Sequence, residues 1–152
     1  MKHWSALLFA LLPGAASAAA QERWTAYVSS RFGTQIEHPA HLFDAEVESA
    51  NGDGATFGPN PHGAKLLAWG SHNTLQQTPH QNICGDGCKG ETFAVRERLV
   101  GISSGVVDGT IYYSRCRMAA DGGLFRCFRI EYPAARRAVY DAVTARIGAS
   151  LR

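Results

Sequence analysis

The sequence predicts an α+β domain in which an antiparallel sheet carries a C-terminal amphipathic helix. Three observations predict it. Short β-rich runs alternate with Gly-, Pro- and Asn-rich turns along most of the chain. An Asp-Gly pair, Asp121-Gly122, separates the last two runs, a strong hairpin signal. After Pro133, Val139, Val143, Ile147 and Leu151 recur every four residues, with Tyr140 widening the stripe, as a helix of about five turns requires. A length of 152 residues suits one domain, and 45% hydrophobic content suits a packed core rather than a disordered chain. A net charge of +2 is too small to imply a nucleic-acid protein, which normally shows a concentrated basic face.

Residues 1–20 read as a secretory signal peptide. Lys2 and His3 form the positive start, Trp4 to Leu12 the apolar run, and small residues from Ala15 to Ala20 offer cleavage after Ala18 or Ala20. The apolar run is shorter than the ~20 residues that span a bilayer, and no later one is longer. Residues 21–152 are then a single exported domain, periplasmic or secreted, with no integral membrane segment after cleavage.

Within that domain, Trp24 to Val28 and Thr34 to His38 read as strands around a turn at Ser29 to Gly33, closed by Pro39. Asn51-Gly52-Asp53-Gly54 is a turn leading into Ala55-Thr56-Phe57, and Ala64 to Trp69 is the next strand. Ser71 to Gly90 is polar and reads as loop. Thr92 to Val100 and Val106 to Arg117 are expected strands joined through Gly101 to Gly105. Ile111, Tyr113, Phe128, Ile130 and Tyr132 share one face of the last hairpin and offer the helix its apolar surface.

Export makes the four cysteines a disulfide framework rather than a metal site. Of the three pairings available, a turn centred on Asp121-Gly122 sets Cys116 opposite Cys127, within bridging range. Elimination then pairs Cys84 with Cys88 across Gly85-Asp86-Gly87. The rival is a metal centre on His80, Cys84 and Cys88, spaced by four, with His72 or His62 as a further ligand. Gly85, Gly87 and Pro79 argue against the helix that would align them, so neither metal nor cofactor is expected.

Gly101-Ile102-Ser103-Ser104-Gly105 matches the nucleophile-elbow pattern G-x-S-x-G, but a strand rather than a helix follows it and every histidine precedes Ser103. It reads as a strand–strand turn. His38, His41, His62, His72 and His80 are scattered among prolines, glycines and polar residues. Glu46 and Glu48 alternate on an acidic segment, and no catalytic set emerges. Charge is distributed unevenly: residues 21–60 hold two arginines against six acids, residues 115–152 eight arginines against three. Arg117 and Arg126 fall opposite each other in the hairpin, and with Arg115 and Arg129 they form the candidate contact for an anion or an acidic partner.

Arg31-Phe32-Gly33 with Pro39, Asn51 to Gly54, Trp69-Gly70-Ser71 with Asn73, Ile111-Tyr112-Tyr113, Glu131-Tyr132-Pro133 and Tyr140-Asp141 together resemble a group of small exported bacterial proteins of unassigned function. Their pattern is similar to PsbP-like α/β/α domains. The resemblance implies a sandwich in which helices cover a twisted antiparallel sheet, and a binding or assembly role without catalysis. The Cys84 to Cys88 loop stands outside that pattern, and the long central stretch takes the place of a helix. The expectation is therefore an exported, disulfide-stabilised accessory module for an unidentified protein or envelope component. Two alternatives remain: a small hydrolase using a histidine–carboxylate pair in Ser71 to Gly90, and an inhibitor that presents the Cys84 to Cys88 loop to a secreted enzyme.

Overall fold

The computed structural model describes residues 22–152, so the signal-peptide reading lies outside the described residues. Two strands, β1 (Trp24–Val28) and β2 (Gln35–Pro39), form an antiparallel ribbon. A second sheet of seven strands contains β3 (Glu46–Glu48), β4 (Gly54–Phe57), β5 (Lys65–His72), β6 (Glu91–Arg96), β7 (Val100–Val107), β8 (Thr110–Met118) and β9 (Leu124–Pro133). Its order is β3-β4-β5-β9-β8-β7-β6, antiparallel throughout. Helix α1 (Pro79–Cys84) lies between β5 and β6, and α2 (Arg137–Ser150) ends the fold.

The expected helix-covered α+β sandwich is not what forms. Among the described residues 44% are strand and 18% helix, a mostly β domain. The physical reason lies in residues 91–107, which extend the sheet by a full hairpin, and in the central stretch, where a helix stops after six residues at Gly85.

The two sheet faces differ. One buries Phe57, Leu66, Ala68, Phe128, Ile130 and Tyr132 under the ribbon and α2. Helix α2 inserts Tyr140, Val143 and Ile147 into that core, and Leu151 follows beyond its end. Val139, expected in the stripe, is 49% exposed. The opposite face carries a smaller cluster of Phe125 and the Cys116–Cys127 pair, covered by Trp69, Met118 and Ile83 of α1. Among the described residues no helix is long and apolar enough to cross a membrane.

Helix α1 corrects the loop reading of Ser71 to Gly90. Thr78 Oγ1 accepts from the Gln81 N–H, and the Gln81 side chain accepts from the Thr78 N–H, a closed capping box with Pro79 in the first turn. Pro79 therefore starts a helix rather than interrupting one. The sequence Gly101 to Gly105 is likewise not a turn; it lies inside β7. The turn falls at Asp108-Gly109, both at positive φ (49° and 77°), the geometry of a two-residue hairpin loop. Pro133 ends β9 opposite Thr110, and a 3-10 turn at Ala134–Arg136 precedes α2.

Candidate functional site

The β8–β9 register pairs Cys116 with Cys127, and the Ala119 N–H donates to the Leu124 carbonyl at 2.8 Å. Alternation from that bond makes 116/127 a non-hydrogen-bonded pair, where side chains approach most closely. The structure bridges it, with Cα atoms 4.1 Å apart, and also bridges Cys84 to Cys88. Both cysteines of the first bridge are fully buried; those of the second, at the C-terminal end of α1 and in the loop after it, are partly exposed.

Helix α1 rests directly on β7. Gly101 makes this possible, because a Cβ there would collide with the backbone of Pro79 and His80. The contact carries His80 over the start of β6, where its Nε2 lies 2.8 Å from Glu91 Oε2. Ser103 Oγ donates to the same oxygen at 2.6 Å, and Arg96 binds Glu91 Oε1 at 2.5 Å. Cys84 Sγ is 3.6 Å from His80 Nε2 and 3.7 Å from Glu91 Oε2. The Ser103 hydroxyl, then His80 and Arg96, hold the Glu91 carboxyl below the usual carboxylate range against its partial burial.

This cluster does not activate a nucleophile. Ser103 is fully buried and donates its hydroxyl hydrogen bond to a carboxylate that His80 and Arg96 already engage. A serine nucleophile needs a neutral base on its hydroxyl and an open path to substrate. The other histidines stay apart: His38 packs on Phe57 in the core, His72 on Phe32, and exposed His41 pairs with Glu22 at 3.5 Å. The His62 N–H donates to Asn60 Oδ1 in a loop. The one histidine of Ser71 to Gly90 that pairs with a carboxylate, His80, takes that carboxylate, Glu91, from outside the segment. Glu48 accepts from the Tyr27 hydroxyl at 2.8 Å, and Glu46 stands exposed on β3.

The four candidate arginines divide between the two faces. Arg129 shares the face of α1, where it stacks 4.6 Å from the Tyr112 ring centre and binds Glu131 at 2.6 Å and Ser114 Oγ at 3.2 Å. It borders a cavity of about 510 Å³ with Cys84, Cys88, Lys89, Tyr112 and Glu131. Arg115 lies on the face of α2, its Nε buried without a hydrogen-bond partner. Arg117 and Arg126 are the pair that converges.

They stand directly opposite each other and line a second cavity of about 490 Å³ with Leu99, Met118 and Arg152. Arg117 donates to the Leu151 carbonyl at 3.1 Å; Arg126 uses Nε to reach the Phe32 carbonyl at 3.1 Å. Arg152 is held there by two backbone bonds with Gln35, each 3.0 Å. No acidic side chain lines this cavity, and among the described residues none of the three guanidinium groups is in an ion pair. Sequence reasoning missed Arg152, because only the strand-like pairing with Gln35 brings it to the hairpin.

No protein-family model matches the chain, and no curated protein is significantly similar to it.

Proposed function

We propose that this chain is an exported, disulfide-stabilised accessory module that binds an anionic, phosphate-class group of an envelope component and carries out no chemistry of its own. The observation that carries the reading is the cavity of Arg117, Arg126 and Arg152, three guanidinium groups with no acidic side chain in its lining. Directly opposed like charges destabilise a hairpin unless something bridges them. Guanidinium forks match the oxygens of phosphate, and a bound dianion would turn the repulsion into two charge-assisted contacts. Two disulfides within one small domain agree with an oxidising compartment. Absence of catalysis rests on the closed bonding of Glu91 and Ser103 described above.

Thermal unfolding tests the reading. Pyrophosphate at ten times its dissociation constant stabilises the protein by about 1.4 kcal/mol, roughly 4 °C in Tm for a domain of this size. Sodium chloride at matched ionic strength does not reproduce the shift, and Arg117→Gln/Arg126→Gln abolishes it. An equal shift in the double variant would refute the assignment.

A further inference from the structure

The cluster at α1 has a chemistry that neither the anion site nor the fold uses. His80 Nε2, Cys84 Sγ and a carboxylate oxygen of Glu91 all lie within 4.8 Å of one another. Cys88 Sγ is bonded to Cys84 and lies just outside that trio. Together these are two sulfurs, an imidazole and a carboxylate, the donor types of a tetrahedral zinc site.

We propose that reduction of the Cys84–Cys88 bridge converts this cluster into a Zn²⁺ site with His80, Cys84, Cys88 and Glu91 as ligands.

Geometry supports the set. Tetrahedral zinc with bonds of about 2.0–2.3 Å places its ligand atoms roughly 3.3–3.8 Å apart. The Cys84 Sγ separations from His80 Nε2 and Glu91 Oε2, 3.6 and 3.7 Å, already meet that spacing. The His80–Glu91 separation of 2.8 Å is a hydrogen bond in the oxidised form, and zinc opens it by about half an ångström. Arg96 holds the other carboxylate oxygen and Ser103 Oγ donates to Oε2, which orients Glu91 as outer-shell groups orient metal ligands. His80 and Glu91 side chains are only 12% and 18% exposed, so the donors are pre-positioned rather than recruited from solvent. Cys88 is the ligand that must move. It follows Gly85-Asp86-Gly87, an exposed loop with no neighbouring atom where either glycine's Cβ would stand, and the two glycines give that loop the backbone freedom to re-aim Cys88.

The bridge is also the one a reductant reaches. Cys116 and Cys127 are fully buried, whereas Cys84 and Cys88 are partly exposed, and exposed bridges exchange more readily. In the reducing step a dithiol of the thioredoxin class supplies two electrons and two protons. The Cys84–Cys88 S–S bond breaks to two thiols, and the reductant closes its own disulfide. Zinc then displaces both thiol protons to solvent, binds His80 through neutral Nε2 and takes Glu91 as the carboxylate. The surface bridge thus acts as the gate of the metal site, while the buried bridge keeps the sheet intact.

The test uses the full domain, exposed to limiting dithiol until alkylation and mass spectrometry show two freed thiols with Cys116–Cys127 intact. Co²⁺ is titrated with absorption as readout, then displaced by Zn²⁺. The proposal expects one equivalent with thiolate-to-cobalt charge transfer in the reduced protein and none in the oxidised protein. His80→Ala and Glu91→Gln each weaken binding at least tenfold. A measurement on the unaltered chain stands beside the variants: Zn²⁺ protects the two thiols from reoxidation. No charge-transfer band, equal binding by oxidised protein, full affinity in both variants, or reoxidation unaffected by Zn²⁺ would each overturn it.

Discussion

Gly101 of β7 lies against the backbone of His80, so closely that any side chain at 101 would displace α1. One missing Cβ thereby sets the height of the helix above the sheet, and with it the His80–Glu91 contact of 2.8 Å. Gly101→Ala is expected to cost about 1–3 kcal/mol, the usual penalty of overpacking, and to separate His80 from Glu91. Urea denaturation reads the first effect. The imidazole chemical shifts of His80 read the second, and unchanged shifts would show that the helix does not depend on this contact.

The two disulfides should contribute unequally. Closing the longer Cys116–Cys127 loop removes unfolded-chain entropy worth about 3 kcal/mol, against about 2 for the Cys84–Cys88 loop. The first bridge is also buried beneath Trp69, Ile83 and Met118, so its loss disturbs packing as well. Cys116→Ala/Cys127→Ala is therefore expected to lower stability more than Cys84→Ala/Cys88→Ala in chemical denaturation. The reverse ranking would mean that the α1 loop, rather than the β8–β9 hairpin, anchors the fold.

Burial makes His38 a source of acid sensitivity. It is 4% exposed, against the rings of Phe43 and Phe57, and desolvation lowers its pKa more than a contact with the Pro39 carbonyl restores. A depressed folded pKa means that the unfolded chain binds the proton first. The histidine's contribution is complete above the unfolded value of about 6.5 and is lost as pH falls below it toward the folded value. Tm should decline through that window, and His38→Phe should flatten the decline. The same slope in wild type and variant would assign the loss to other groups.

Much of the β8–β9–α2 unit was legible because local signals there agree with the tertiary result. Asp121-Gly122 sets a register with Cys116 opposite Cys127, and the stripe through Val143 and Ile147 meets Phe128 and Ile130. Val139 escaped the stripe because a four-residue repeat drifts around a helix of 3.6 residues per turn. The central region was less legible because its signals conflict. Thr78-Pro79 starts a helix that Gly85 ends within two turns, too short for periodicity to reveal. Glycines that look like turn residues at 101 and 105 instead serve close backbone contact. The expected helical cover of the sheet gave way to the β6–β7 hairpin. Glu91 and Arg152 became site residues through long-range placement alone, which no local pattern encodes.

The proposed anion site joins Arg117 and Arg126 to Arg152. Calorimetric titration of pyrophosphate into the wild-type domain and the Arg117→Gln/Arg126→Gln variant tests it most directly. One saturable site is expected in the wild type, weakening with added salt as charge pairing requires, with at least tenfold weaker binding in the variant. Equal affinity in the two proteins, or no binding to either, would contradict it.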